Sequence, residues 1–203
     1  MDAALATHFT VALPDWLRAE LDSLADRPLG SAEERMALVH ELADRNWRAG
    51  NGGPFAAIVV DAASGALVSA GVNVVLSSGL SSTHAEVTAL SLAQRRLGRW
   101  DLGADGADLE LLVNWRPCVM CYGATMWSGV RRLTIAGDGP ECEDLTGFDE
   151  GPMHPDWVGE FERRGIRVTT GLLRDEALAV FRAYGASDAV VYNARGSVEP
   201  GDA

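Results

Sequence analysis

From Phe55 onward the chain alternates short apolar runs with longer segments of helical spacing, and that alternation restricts the fold more than any other feature. "FAAIVV" and "ALVSAGVNVVL" read as two strands joined through "DAASG", a hairpin. "LELLVN", "RRLTIAG" and "IRVTTG" read as three more strands. Between and after them the spacing predicts helices over residues 83–97, over 118–128, in "HPDWVGEFERRG" and in "RDEALAVFRAYG". Upstream, Ser31 and Glu34 have the spacing of a capping box. Met36, Leu38, Val39, Leu42 and Ala43 then follow along one helix that Gly50 ends. The order α-β-β-α-β-α-β-α-β-α describes an α/β protein, a three-layer α/β/α sandwich with a mixed five-stranded sheet. Residues 1–30 are expected to form an N-terminal extension carrying the amphipathic piece "LPDWLRAELDSLA". Residues 31–195 are expected to form one domain including a C-terminal closing segment, and 196–203 a frayed tail. The segment "AVVY" before it is apolar enough to pack.

Charge narrows the partners. The chain has 29 acids against 17 bases, a net charge of −12, and its basic stretches "QRRLGR" and "ERRGIR" are short. Affinity for nucleic acid comes largely from neutralised phosphates, so the balance points away from RNA or DNA and toward a small neutral or cationic substrate. The longest apolar run, Phe55 to Val60, is far short of a membrane span, and "MDAALATHFT" lacks the basic start of a secretory signal. A cytoplasmic location is expected. Three cysteines make no disulfide framework.

Two of those cysteines carry chemistry. "THAE" opens one predicted helix and "PCVMC" opens the next, with a strand before the second. Cys118 and Cys121, at i and i+3, lie on one face of a first helical turn, and His84 adds an imidazole. Two thiolates and one imidazole leave the fourth tetrahedral position of a zinc ion to water, the arrangement of a catalytic site. Glu86 is not required as a ligand; a carboxylate beside that water can take its proton and pass it on. H-x-E followed by P-C-x-x-C is the signature of zinc nucleobase deaminases. Cys142, alone in the acidic loop "GPECEDLTG", reads as structural; His154 reads as a surface loop residue and Trp127 as core. Phe148 and Trp157 either stack on a base or fill the core.

From about residue 31 the chain resembles the cytidine-deaminase superfamily, and within it the bacterial guanine deaminases. The resemblance runs through "GGPFAAIVVD", "GVNVVL", "THAEVTALSLAQ", "PCVMCYGATMWSGVRRL", "TGFDEGP", "RGIRVTTGLLRDEALAVFRAY" and "VYNAR". It implies zinc on His84, Cys118 and Cys121, with Glu86 as the proton shuttle. Asn73 would hydrogen-bond the base, and Glu150 would be a second catalytic acid facing the purine. Phe148 and Asp149 would join the substrate-binding set, with Tyr192 and Asn193 in a segment closing the site. The resemblance also implies a homodimer, in some members with exchanged C-terminal elements. The expected reaction converts free guanine to xanthine and ammonia. One departure stands out: where the family reads like "SAEPC", this chain reads "NWRPC". Trp115 then either borders the pocket, narrowing it or offering a stacking face, or packs into the core; Arg116 puts a cation where the family has an acid. The alternative function keeps the chemistry and changes the ring to a cytosine-like, triazine-like or modified purine substrate. Deamination of tRNA is disfavoured by the acidic charge. A non-catalytic zinc protein is opposed by Glu86 and by a ligand set of three rather than four.

Overall fold

The structure, a computed structural model, describes residues 5–24 and 28–194. Helices α1 (Asp15–Leu24) and α2 (Ala32–Arg48) precede a hairpin of β1 (Ala56–Asp61) and β2 (Leu67–Val72). A single turn, α3 (Val75–Ser78), leads to α4 (Ala85–Leu97), β3 (Leu109–Val113) and α5 (Val119–Ser128). β4 (Arg132–Ile135), α6 (Glu141–Thr146), α7 (Trp157–Glu162), β5 (Arg167–Thr169) and α8 (Arg174–Gly185) complete the order. The strands form one sheet in the order β2-β1-β3-β4-β5. β1 runs antiparallel to β2 and β3, while β3, β4 and β5 run parallel. This is the mixed five-stranded sheet expected.

Successive strand side chains point to opposite faces, and β1 shows the consequence. Ala56, Ile58 and Val60 pack with Met36, Val39 and Leu42 of α2 and Phe181 of α8. Ala57 and Val59 pack instead with Ala85, Ala89 and Leu90 of α4 and Phe161 of α7. A sheet covered by helices on both faces gives the three layers. The N-terminal extension joins the first of these cores through Leu17, Leu24 and Leu29. The start of α2 is capped as its sequence suggests: the Ser31 hydroxyl accepts from the Glu34 N–H at 3.1 Å, and the Glu34 carboxylate accepts from the Gly30 N–H at 2.9 Å. Arg35, one residue on, pairs at 3.3 Å with Glu110, buried on β3, whose other oxygen accepts from Thr134 at 2.6 Å. That carboxylate has partners for both oxygens, which is the condition for burying one.

Four local expectations change. The second strand stops at Val72 because the Asn73 side chain accepts from the Val75 N–H at 3.2 Å and turns the chain into α3. The acidic loop "GPECEDLTG" contains a helix, α6, with Cys142 and Thr146 buried one turn apart and three acids in its first turn, where the helix dipole favours them. Trp127 is 83% exposed rather than core, since α5 buries the face holding Cys121, Thr125 and Ser128 and turns Trp127 away from it. Val190 and Val191 are exposed, and Tyr192 is the residue of that segment that packs inward. The expected frayed tail, 196–203, lies outside the described residues.

Candidate active site

The helix starts at His84 and Cys118 deliver the ligands. His84 is the N-cap of α4 and Cys118 the N-cap of α5, both with extended backbone and neither side chain spent on capping. His84 Nδ1 lies 3.5 Å from Cys118 Sγ, and one ring nitrogen and the sulfurs of Cys118 and Cys121 all fall within 4.8 Å of one another. A tetrahedral zinc ion, with bonds of about 2.0–2.3 Å, holds its ligands about 3.5–3.8 Å apart, so the three side chains fit it. Cys118 is held down to about 4, chiefly by the hydrogen bond from Cys121 and then by His84, against the opposing effect of burial. Cys121, which gives that bond and is buried, is pushed up. For His84 burial pulls down, but the Cys118 bond and the Glu86 and Glu150 carboxylates outweigh it and the net direction is up. A preformed thiolate beside an imidazole is the donor set a borderline-soft cation selects.

Beside these ligands opens a cleft of about 620 Å³. Glu86, in the first turn of α4, lines it and is buried; burial first, then the charge on Cys118, pushes its carboxyl up to about 7. Glu150 lines it as well, half-buried, and is pushed up to about 8 by burial, then by Cys118 and Glu86. Its loop is tied to α5 by the Val119 N–H, which donates to the Glu150 carbonyl at 3.0 Å. Two carboxyls therefore line one cleft with the Cys118 sulfur, each able to exchange a proton near neutral pH.

The opposite wall is hydrogen-bonded and aromatic. Asn73 Oδ1 accepts from the Tyr192 hydroxyl at 2.6 Å, and that hydroxyl accepts from the Gly53 N–H at 2.7 Å. The Tyr192 ring meets Phe148 edge-on at 4.9 Å, and Phe148 meets Phe55 at 5.6 Å. Asn193 shapes the rim, accepting from the Asp149 N–H at 3.0 Å and donating to the Gly147 carbonyl at 2.8 Å. Asp149 also lines the cleft, though its carboxylate accepts from the Gly151 N–H at 2.8 Å and so is used by its own turn. Trp115 borders the cleft but is 2% exposed, with its indole against Phe181 and its N–H donated to the Gly139 carbonyl at 3.1 Å. Arg116 lines the cleft, half-buried, with no partner for Nε. Trp157 belongs to the core beside Phe161, and His154 is exposed.

Some contributors carry no motif. Asn114, buried at the end of β3, accepts from the Ala56 N–H at 3.1 Å and donates to the Pro54 carbonyl at 2.9 Å, which seats Phe55 at the cleft. "NGGP" reads as a turn, yet a Cβ at Gly53 would come within 2.9 Å of the Tyr192 hydroxyl and 3.1 Å of Phe148. The adjacent glycines were the available signal for a close approach at the site.

The description "Cytidine and deoxycytidylate deaminase zinc-binding region" belongs to the family model that matches residues 30–136. The chain belongs to that family. As a cytidine and deoxycytidylate deaminase family member it is a zinc-dependent deaminase, a hydrolase acting on carbon–nitrogen bonds. It is 34% identical to guanine deaminase of Bacillus subtilis (strain 168) over 143 residues, covering 70% of this chain and 86% of that one. A solved guanine deaminase from Nitrosomonas europaea is 45% identical with a TM-score of 0.82, over 91% of this chain and 100% of that one. A structure of NE0047 in complex with 2,6-diaminopurine is 48% identical with a TM-score of 0.82, over 92% and 97%. In this deaminase-family chain, Cys118→Ala is expected to lose most of the near-stoichiometric zinc of the parent protein, since two ligands hold the ion poorly. Metal analysis of both purified proteins checks it; full zinc in the variant refutes the ligand set.

Proposed function

We infer that this enzyme deaminates free guanine, giving xanthine and ammonia. The observation that carries the reading is the one cleft that Glu86 and Glu150 line together with His84, Cys118, Asn73, Phe148 and Tyr192. Guanine and 2,6-diaminopurine share a 2-amino group, and guanine has no other exocyclic amine to lose. The similarity to guanine deaminases over most of both chains supports the same choice of ring.

Bound zinc supplies a Lewis acid that activates water at neutral pH. The chain supplies the proton handling and the pocket. Glu86, whose carboxyl burial raises toward neutrality, takes one proton from the attacking water and gives it to the ring nitrogen. It then takes the proton of the hydroxyl formed on the carbon and gives it to the amine, which leaves as ammonia. Glu150 accepts from the N1–H or 2-amino donors of guanine. Asn73 offers an amide donor to an acceptor on the base, and Phe148 an apolar face. Tyr192 and Asn193 hold the C-terminal segment across the mouth.

The enzyme works as a homodimer in the cytoplasm. Val119, Gly123 and Trp127 follow one another by single turns along α5; Val119 and Trp127 are exposed, and a Cβ at Gly123 would meet open space. An apolar stripe of that kind suits coverage by a second copy. None of Cys118, Cys121 and Cys142 is paired in a disulfide, a state that suits a reducing compartment. Ammonia release by the zinc-loaded protein, over a panel of aminopurines, aminopyrimidines and aminotriazines, tests the substrate. Guanine is expected to give the highest kcat/KM; turnover of cytosine or an aminotriazine with none of guanine overturns the reading.

A further inference from the structure

A buried amide sits where α2 calls for hydrocarbon. Met36, Val39, Leu42 and Ala43 are the buried apolar positions of α2, and the next position on that face is Asn46, which is fully buried. An amide in such a place is costly unless its hydrogen bonds are made; Asn46 Oδ1 has no partner among the described residues, so the bonds of Nδ2 are what explain its presence. Asn46 Nδ2 donates to the Asn73 carbonyl at 2.7 Å and to the Gly53 carbonyl at 3.2 Å.

Those two carbonyls lie where the hairpin opens around the cleft. The β1–β2 ladder has Ala56 opposite Val72, followed by the Asn73 N–H donating to the Phe55 carbonyl at 3.0 Å. Beyond that bond the two chains part, and the Asn46 side chain bridges them. From the other side, the Tyr192 hydroxyl bridges the same two residues through the Gly53 N–H and Asn73 Oδ1. Asn46 and Tyr192 thus clamp Gly53 and Asn73 between them. With Asn73 Oδ1 occupied by Tyr192 and by the Val75 N–H, its Nδ2 is the amide atom left for a ligand in the cleft.

The geometry points to Asn46 as a positioning residue for substrate binding: it sets the backbone of Asn73 and the Gly53 end of the Tyr192 latch, so that Asn73 Nδ2 meets an acceptor on the base. Its side-chain hydrogen bonds go to Gly53 and Asn73 and not to the zinc ligands or Glu86, so it acts on binding rather than on the chemical step. This rests on the reading of Asn73 as a base contact. A donor displaced by a fraction of an ångström weakens the contact in ground and transition states alike.

Two variants test it. Asn46→Leu fills the space and completes the helix stripe but cannot donate; Asn46→Asp keeps the shape and turns an acceptor toward two carbonyls. The expected result for both is retained zinc, a KM for guanine raised at least ~10-fold and a kcat within about threefold of the parent, the pattern of lost uniform binding. Hydrogen exchange at the Gly53 amide, which the latch protects, is expected to quicken at least ~10-fold. If the parent protein releases no ammonia from guanine, the substrate reading is at fault and exchange at Gly53 alone decides on Asn46. Should the leucine variant fail to melt cooperatively, the same readouts on Asn46→Asp decide. Parental KM with parental Gly53 exchange overturns the inference, and so does a kcat loss with KM unchanged.

Discussion

Glu86→Gln is expected to keep the fold and the zinc while losing at least ~10²-fold in turnover, the scale on which a positioned acid–base group acts. Glutamine has the same shape and still hydrogen-bonds, so the first turn of α4 and His84 beside it should be undisturbed. What it lacks is the ability to take a proton from water and release it to the substrate. The pH profile gives the second half of the test. Glu86 works as a base in its ionised form; burial raises its carboxyl, and a zinc ion on Cys118 would draw it back down. Below its pKa in the zinc-loaded enzyme the carboxyl is protonated, so kcat/KM should fall about tenfold per pH unit on the acid side and level off above. In Glu86→Gln that limb should vanish. Turnover near the parental level, with the limb intact, would move the proton to another group, and Glu150, pushed up to about 8 in the same cleft, is the first to examine by Glu150→Gln.

The parts of this molecule that could be read from its sequence are those in which cause and residue are neighbours. A strand shows as a short apolar run, and the five runs give the five strands of the sheet. His84 and Cys118 are legible because each stands at a helix start within a few residues of its own signal, and the ion supplies the reason for the two halves to meet. Asn46 is illegible for the opposite reason: its partners are Gly53 and Asn73, and only the folded hairpin opens at the point where α2 passes. α5 is apolar on every side, so periodicity did not show which face would turn outward and carry Trp127. α6 failed to announce itself because six residues hold too little pattern, and its three acids resemble a solvated loop until the helix dipole is considered. The end of β2 depended on one Asn73 side chain competing with the ladder for the backbone, a choice that apolar content does not reveal.

Trp115→Ala is expected to destabilise the enzyme by about 3–5 kcal/mol, the usual cost of truncating a large buried aromatic. For a chain of this size that lowers Tm by roughly 6–20 °C. The position borders the cleft, but the contacts of the ring lie on the other side. It meets Phe181 edge-on with centroids 5.3 Å apart, its N–H is held by the Gly139 carbonyl, and the Arg174 guanidinium lies 5.4 Å from its centre. A Cβ on Gly137 would run into the indole, so strand exit and side chain are fitted to each other. Losing the ring opens a cavity among these groups and leaves the half-buried Gly139 carbonyl without its donor, and both effects act on the folded state. The route to the substrate is indirect: Phe181 touches Phe55, and Phe55 touches Phe148 at the cleft wall. The ratio of kcat/KM between guanine and smaller aminoheterocycles should therefore stay within about threefold, whereas a group in direct contact with the ring shifts such a ratio tenfold or more. Melting and substrate profiling of one variant separate the two roles. A parental Tm with a tenfold change in the substrate ratio would place the indole in the pocket and make Trp115, not the aromatic wall of Phe55, Phe148 and Tyr192, the residue that selects the ring.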